Sequence, residues 1–153
     1  MTQKQSAWAI IITVILLATT TYKKPHPISN PVVKSPTQIK LEKYIGDKYI
    51  AEVISNSKYP FIIAAIGKVE SDYRPQAIGD GGESHGLYQI QPRHWHPYDD
   101  RVGHQTAHCE RILGHLFAKY GVVRGLERYN GGGASARRYS KRVLELARTI
   151  EKG

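Results

Sequence analysis

The spacing of apolar residues along the chain predicts a mainly helical domain. The clearest segment is 60–70, where Pro60 suits the first turn of a helix and a wide apolar face follows. That face consists of Phe61, Ile62, Ala65, Ile66 and Val69. Apolar stripes of helical period predict further helices over residues 39–57, 106–120, 122–129 and 136–150. Only residues 87–90, at the end of a glycine-rich segment, indicate a strand, so any sheet is small.

The N-terminal region contains the most apolar stretch of the chain. Residues 7–18 hold one polar residue, Thr13, and lysines flank the run on both sides. As a helix, residues 6–22 would span about 25 Å, a little less than the hydrocarbon core of a bilayer. We therefore expect residues 1–22 to be a signal peptide or a membrane anchor, with burial in the domain as a third interpretation. Residues 18–21 match a signal-peptidase site poorly, which favours the anchor.

A proline-rich segment separates this apolar run from the helical region. Residues 23–37 contain four prolines and no helical period, which is typical of an extended tether. We expect residues 23–38 to hold the domain formed by residues 39–153 away from a membrane.

Composition narrows the class of protein. The 153 residues are 41% hydrophobic and 23% charged, as expected for one globular domain. The net charge is +9, and from Arg101 onward eleven basic residues stand against four acidic ones. Such a surface favours binding to a polyanion. The sequence has no zinc-finger, RNA-recognition or homeodomain pattern, so we expect no nucleic-acid partner. The single cysteine, Cys109, excludes an internal disulfide and a cysteine-based zinc site.

Glu70 is the most informative charged residue, because it ends the helix predicted over 60–70. The carbonyl groups at a helix C-terminus disfavour a carboxylate, and apolar neighbours disfavour it further, so both raise its pKa. A glutamate protonated at neutral pH is the general acid that glycosidic cleavage needs. Taken alone, a solvated glutamate at a frayed helix end is the simpler interpretation.

Three short motifs follow one another along the chain. They are ESDYRP at residues 70–75, GLYQI at residues 86–90, and YNGG at residues 129–132 with Tyr139 beyond. In this order and spacing they resemble the soluble, goose-lysozyme-like lytic transglycosylases over residues 40–150. The resemblance implies a lysozyme-like helical fold with a small glycine-rich β element, and it implies no cofactor. Three departures from the family pattern are Tyr88, where Met or Phe is usual, Arg128, where Ala is common, and a minimal connection of eight residues between Asn130 and Tyr139.

The resemblance also assigns roles residue by residue. Glu70 matches the single catalytic acid and base, and Tyr139 matches a tyrosine near its carboxyl group. Ser71 would help to orient the site, and Gln89 would bind the sugar or support Glu70. The expected substrate-binding residues are Ser71, Gly86, Leu87, Tyr88, Gln89, Ile90, Tyr129, Asn130 and Tyr139.

The implied reaction cleaves the β-1,4 bond between N-acetylmuramic acid and N-acetylglucosamine in peptidoglycan. One acid acts twice, first protonating the leaving oxygen and then accepting the proton of the muramic 6-hydroxyl, which closes a 1,6-anhydro ring. A second carboxylate among Asp72, Asp80 and Glu83 would instead permit hydrolysis by water, as in a lysozyme. A catalytically weak wall-binding component of an assembly is the alternative from another class.

The expected partners are peptidoglycan strands and, through the N-terminal segment, a membrane. The domain would face the periplasm, either anchored in the inner membrane or exported, and its small size also suits a phage-encoded enzyme. Two histidine pairs, at 94 and 96 and at 104 and 108, have no convincing third ligand, so no metal site is expected. We hypothesise that His94 and Trp95 border the sugar groove, where an indole ring can stack on a pyranose.

Overall fold

Five α-helices and one two-stranded sheet make up the part of the chain that the computed structural model describes, residues 33–91 and 99–153. The helices are α1 (Pro36–Ile45), α2 (Lys48–Ser55), α3 (Pro60–Ser71), α4 (Val102–Tyr129) and α5 (Gly133–Lys152). The strands are β1 (Ile78–Gly79) and β2 (Ser84–His85), joined by a 3-10 turn at Asp80–Gly82. Helix accounts for 71% of the described residues, which confirms the mainly α class.

The first helical region consists of two helices, so the single helix predicted over 39–57 is wrong. Gly46 adopts left-handed backbone at φ 81° and ends α1. Asp47 then caps α2 by accepting a backbone amide of its first turn at 2.9 Å. Ser35 caps α1 in the same way at 3.1 Å. Helix α1 therefore includes the last residues of the segment predicted as a tether.

The later helices follow the predicted pattern closely. Helix α3 covers the predicted 60–70 with one added residue, and α5 extends beyond the predicted 136–150 at both ends. The helices predicted over 106–120 and 122–129 are two parts of α4, which bends at Gly121 because this residue has φ 74° and ψ 169°. Both parts of α4 contribute residues to the wall of one cavity.

The sheet lies earlier in the chain than predicted. Strands β1 and β2 pair antiparallel, with Ile78 opposite His85. The strand predicted at 87–90 is wrong, since that segment contributes a single bridge, from Ile90 to His85. Left-handed backbone at Gln89, with φ 47°, prevents a regular extended strand there.

The hydrophobic core surrounds α3. Five consecutive residues of this helix, 63–67, are buried because it packs against the other four helices. Other large core side chains come from those helices and from the loop after β2: Leu41, Ile54, Leu87, Tyr88, Leu113, Leu126 and Val143. Because α3 is packed against the other four helices, the position of its C-terminal residues is fixed by the core.

Three expectations concern parts of the chain outside the described residues. They are the signal peptide or anchor at 1–22, most of the tether at 23–38, and the placement of His94 and Trp95 beside a groove. Among residues 33–91 and 99–153, no helix combines the length and the apolar character needed to cross a bilayer.

Candidate active site

Glu70 is the last residue but one of α3, at a sharp turn of the chain. Asp72 and Tyr73 both adopt left-handed backbone, with φ 54° and φ 59°. The Tyr73 amide donates to Gly67 O at 3.2 Å and its hydroxyl donates to Ala64 O at 2.9 Å, so the tyrosine folds back along the helix. These bonds fix the helix end, and with it the backbone that carries Glu70.

The Glu70 carboxyl group is half-buried and hydrogen-bonded to α5. The Tyr139 hydroxyl donates to Glu70 Oε1 at 2.6 Å. Burial raises the pKa of Glu70; the bond from Tyr139 opposes this effect, and the negative charge of Asp80 adds to it. Burial, and then the Glu70 charge, raise the pKa of Tyr139 too, so its hydroxyl stays protonated and acts as the donor. Because Oε1 accepts this bond, Oε2 is the oxygen on which a carboxyl proton would reside.

A cavity of about 780 Å³ opens beside Glu70. Its walls come from the end of α3, the loop of residues 80–91, the first part of α4 and the residues at the end of that helix. Five of the predicted site residues line it: Glu70, Gln89, Ile90, Tyr129 and Asn130. The volume falls in the range of small-molecule binding sites, so the cavity accommodates a ligand the size of a few sugar rings.

Three of the predicted substrate contacts are core residues instead. Ser71, Leu87 and Tyr88 expose 3%, 0% and 1% of their surface, so a bound sugar cannot touch their side chains. The Tyr88 hydroxyl shares a hydrogen bond with Thr106 Oγ1 at 2.8 Å, within the core. The GLYQI motif therefore reaches the cavity only through its last two residues.

Ser71 joins the end of α3 to the loop that carries this motif. Its hydroxyl donates to Leu87 O at 2.9 Å and accepts the Arg74 amide at 3.2 Å. A buried hydroxyl left without partners is costly, so these bonds hold the loop against the helix. Ser71 thus positions the residues around Glu70 without lining the cavity.

Sequence reasoning missed Gln105, a buried residue of α4 that anchors the same loop. Its side chain accepts the Leu87 amide at 2.7 Å and donates to Pro75 O at 3.0 Å and Asp100 O at 2.9 Å. Gly86 lies against it with φ 76°, and an added Cβ would overlap Gln105 Oε1, so any other residue at this position would be strained and would displace the Gln105 side chain. Gln105 lies one residue before the helix predicted over 106–120, so the predicted pattern did not include it.

Gln89 braces the turn that the loop makes above the cavity. Its side-chain nitrogen donates to Ala77 O at 3.2 Å and to Gly86 O at 3.0 Å. Both bonds are made to backbone, so the amide nitrogen supports the cavity wall rather than Glu70 directly.

Two stacked tyrosines lie beside Glu70. The rings of Tyr129 and Tyr139 have centroids 6.5 Å apart and planes inclined by 10°. The Tyr129 hydroxyl donates to Tyr88 O at 2.8 Å, and burial raises its pKa well above the ordinary value. Asn130 follows at the end of α4 and is exposed to the cavity, so its side-chain amide is accessible to a ligand.

Of the three acids considered as a second carboxylate, only Asp80 lines the cavity. It accepts the Ser84 hydroxyl at 2.6 Å, which orients it towards the loop interior. Asp72 is ion-paired with a lysine of α3 and is mostly exposed. Glu83 is exposed and lies outside the cavity lining.

Helix α4 adds a basic and apolar wall that sequence reasoning did not assign to the site. Two pairs of residues line the cavity, and the members of each pair are one helical turn apart: Arg111 and His115, and Ile112 and Leu116. Arg128 lines it from beyond the bend at Gly121. Leu116 belongs to the apolar stripe that predicts the helix over 106–120, for which the core was the default interpretation, because periodicity does not distinguish a core face from a cavity face.

Within the described residues, no three His, Cys, Asp or Glu side chains are grouped so that they could hold a metal ion. The chain matches no family model, no curated protein and no solved structure. The interpretation of the cavity therefore depends on the geometry around Glu70.

Proposed function

We propose that this protein is a peptidoglycan lytic transglycosylase with a lysozyme-like fold, in which Glu70 is the sole catalytic acid and base. The observation that carries the proposal is the 2.6 Å hydrogen bond from Tyr139 to a half-buried Glu70 at the edge of a large cavity. Burial raises the pKa of Glu70, which favours the protonated form that a glycosidic oxygen requires. Residues of the GLYQI and YNGG motifs lie around it.

The proposed reaction uses one carboxyl group in two protonation states. Glu70 donates its proton to the oxygen between N-acetylmuramic acid and N-acetylglucosamine, while the substrate's own N-acetyl oxygen attacks the anomeric carbon. The bond from that carbon to the bridging oxygen breaks, and N-acetylglucosamine leaves with a free 4-hydroxyl. The resulting carboxylate, stabilised by the Tyr139 hydroxyl, then accepts the proton of the muramic 6-hydroxyl as that oxygen displaces the N-acetyl group. The 1,6-anhydro ring closes, Glu70 is protonated again, and no water is consumed.

Hydrolysis by the same fold is the second candidate, and the position of Asp80 favours it. Asp80 lines the cavity together with Glu70 and is close enough to affect its pKa. A second carboxylate in a sugar groove can activate water or attack the anomeric carbon, as in two-carboxylate glycosidases. The products distinguish the two reactions, because hydrolysis leaves reducing ends that are heavier by one water.

The proposal also concerns where the protein acts. The +9 net charge suits a domain that works close to anionic wall polymers or phospholipid. With an anchor or signal peptide in residues 1–22, the domain would be in the periplasm, from a host or a phage gene. A catalytically weak wall-binding component remains the alternative from another class, and retention of Glu70 in a polar cavity argues against it.

Mass spectrometry of fragments released from purified peptidoglycan tests the function. The full chain is expected to release muropeptides that end in 1,6-anhydromuramic acid. Glu70→Gln removes the acid while keeping the shape, so release should fall by at least about 100-fold. Glu83→Gln is the matched control, because it removes an exposed carboxylate of the neighbouring loop outside the cavity lining.

Each other outcome points to a different function. Release of fragments with hydrated reducing ends, abolished by Asp80→Asn as well as by Glu70→Gln, means a lysozyme. Sedimentation of the protein with peptidoglycan, without release by either wild type or Glu83→Gln, means a wall-binding component. If the protein neither binds peptidoglycan nor releases fragments from it, the proposal is refuted.

A further inference from the structure

The α4 wall of the cavity carries positive charge that the proposed reaction does not use. Arg111 lines the cavity from the first part of α4, and Arg128 lines it from the end of the same helix. His115 lies between them in the lining, one helical turn after Arg111. Both arginines are exposed, so their guanidinium groups are available to a ligand in the cavity.

Neither arginine is neutralised by the protein. Arg111 donates to His108 Nε2 at 2.9 Å, and the guanidinium of Arg128 lies 5.5 Å from the centre of the Tyr120 ring. Within residues 33–91 and 99–153, no carboxylate forms an ion pair with Arg111 or Arg128. All thirteen acidic residues of the chain fall in these described ranges. The His108 and Tyr120 contacts orient the two guanidinium groups but leave their charge unpaired.

We propose that Arg111 and Arg128 bind a carboxylate carried by the D-lactyl arm of N-acetylmuramic acid and so determine which sugars occupy the cavity. The inference rests on the proposed function, and it names the substrate feature that this wall selects. N-acetylglucosamine is uncharged, whereas the muramic residue bears a carboxylate on its lactyl arm or on the peptide attached there. A planar guanidinium matches a carboxylate with two parallel hydrogen bonds, which makes arginine well suited to this recognition.

The acidic side of the cavity supports the same conclusion. Glu70 and Asp80 line the cavity at the α3 end and the loop, and acidic side chains there repel a carboxylate of the substrate. The substrate carboxylate is therefore drawn towards α4 and away from the reacting bond. The α4 wall of the cavity thus selects the muramic residue over the uncharged glucosamine residue at this position.

Binding measurements with a chain that cannot turn over its substrate test the proposal. Full-length Glu70→Gln is titrated with two tetrasaccharides of equal length, one of N-acetylglucosamine alone and one alternating it with peptide-free N-acetylmuramic acid. The alternating oligomer is expected to bind about tenfold more tightly at low salt, and increasing salt should reduce the difference. A third oligomer with stem peptides distinguishes a free lactyl carboxylate from a peptide carboxylate as the group recognised.

Charge-removing variants assign the preference to the two arginines. Adding Arg111→Gln and Arg128→Gln to this chain should reduce the tenfold preference to about twofold or less, mainly through weaker binding of the alternating oligomer. Arg124→Gln is the matched control, because it removes one charge from an exposed position of α4 outside the cavity lining. Thermal unfolding confirms that all variants fold.

The outcomes separate this inference from the proposed function. Equal affinities for the two oligomers, or an equal loss of preference in Arg124→Gln, overturn the role of Arg111 and Arg128. If the wild-type chain still releases anhydromuropeptides in that case, the proposed function stands without the role of the two arginines. If no oligomer binds and no fragment is released, both are overturned.

Discussion

At the scale of single residues, Tyr139 and Glu70 form the smallest unit that could perform the chemistry. Burial on its own would raise the Glu70 pKa and leave the carboxyl free to rotate. The Tyr139 hydroxyl limits that rotation by donating to Oε1 at 2.6 Å, and it moderates the rise in pKa. The pair therefore holds an acid that can also exist as a carboxylate, which a reaction with two proton transfers requires.

Tyr139→Phe tests this unit. The variant loses the donor, so the Glu70 carboxylate is less stable and the pKa of Glu70 rises further. The pH above which activity falls should move upward, while the maximal rate drops on the order of 10- to 100-fold because the carboxyl group is no longer oriented. The rate of fragment release measured against pH checks both effects.

Tyr49→Phe provides the control for that measurement, since Tyr49 is 60% exposed on α2 and removing its hydroxyl should change neither quantity. A Tyr139→Phe profile that coincides with the wild-type profile would show that the hydrogen bond has no part in the reaction.

At the scale of elements, the loop between α3 and α4 depends on a few side chains that act as braces. Ser71 ties it to α3, Gln105 ties it to α4, and Gln89 closes its own turn. The two strands of this loop are two residues each, too short to hold it in place. The shape of the cavity wall thus depends on side-chain hydrogen bonds more than on the sheet.

Gly86→Ala measures how much this bracing contributes. The alanine must adopt φ 76° and also displace Gln105 Oε1, which accepts the Leu87 amide. We expect a loss of about 3 kcal/mol in the free energy of unfolding, from left-handed strain together with overpacking. Urea unfolding followed by circular dichroism gives the value.

Gly81→Ala separates the two contributions. Gly81 has φ 65° but no neighbour within 4 Å of an added Cβ, so only the backbone strain applies and about 1 kcal/mol should be lost. Equal losses for the two variants would mean that the contact with Gln105 is not important for stability.

The elements also show what the sequence could predict. The apolar period predicted helices α3 and α5, and the boundary predicted between residues 120 and 122 falls at the Gly121 bend of α4. The apolar stripe over residues 39–57 is irregular and continues across Gly46 and Asp47, so it predicted one helix instead of α1 and α2. A glycine followed by an aspartate is nevertheless a common signal for the end of one helix and the start of the next. Strands β1 and β2 were not predicted, because a strand of two residues is too short to show an alternation of apolar and polar positions.

At the scale of the whole molecule, the candidate site brings together residues that are far apart in the chain. Motif order predicted a tyrosine, Tyr139, near the Glu70 carboxyl group, and the two side chains are hydrogen-bonded although 69 residues separate them. It did not distinguish residues that line the cavity from residues such as Leu87 that support it, since both belong to one motif. Nor could it find Arg111, whose role depends on the face of α4 that the tertiary fold turns towards the cavity.

The cost of holding Glu70 in a half-buried position should be measurable in the stability of the whole domain. Burial raises its folded-state pKa above the ordinary value of 4.5. The stability that Glu70 contributes is therefore complete below about pH 4.5 and is lost as pH rises through the folded-state pKa. At pH 7.5, Glu70→Gln should then be more stable than the wild type by about 1 kcal/mol, a rise in Tm of about 4 °C.

The pH dependence of this gain distinguishes a buried charge from other effects of the substitution. At pH 4 and below, both proteins have a neutral side chain at position 70, so their Tm values should converge. Glu83→Gln, at an exposed position, should change Tm by less than about 1 °C at either pH. A lower Tm for Glu70→Gln at pH 7.5 would mean that the charged hydrogen bond from Tyr139 outweighs burial. The ionised form would then dominate at neutral pH, and Glu70 would be unsuited to act as a general acid there.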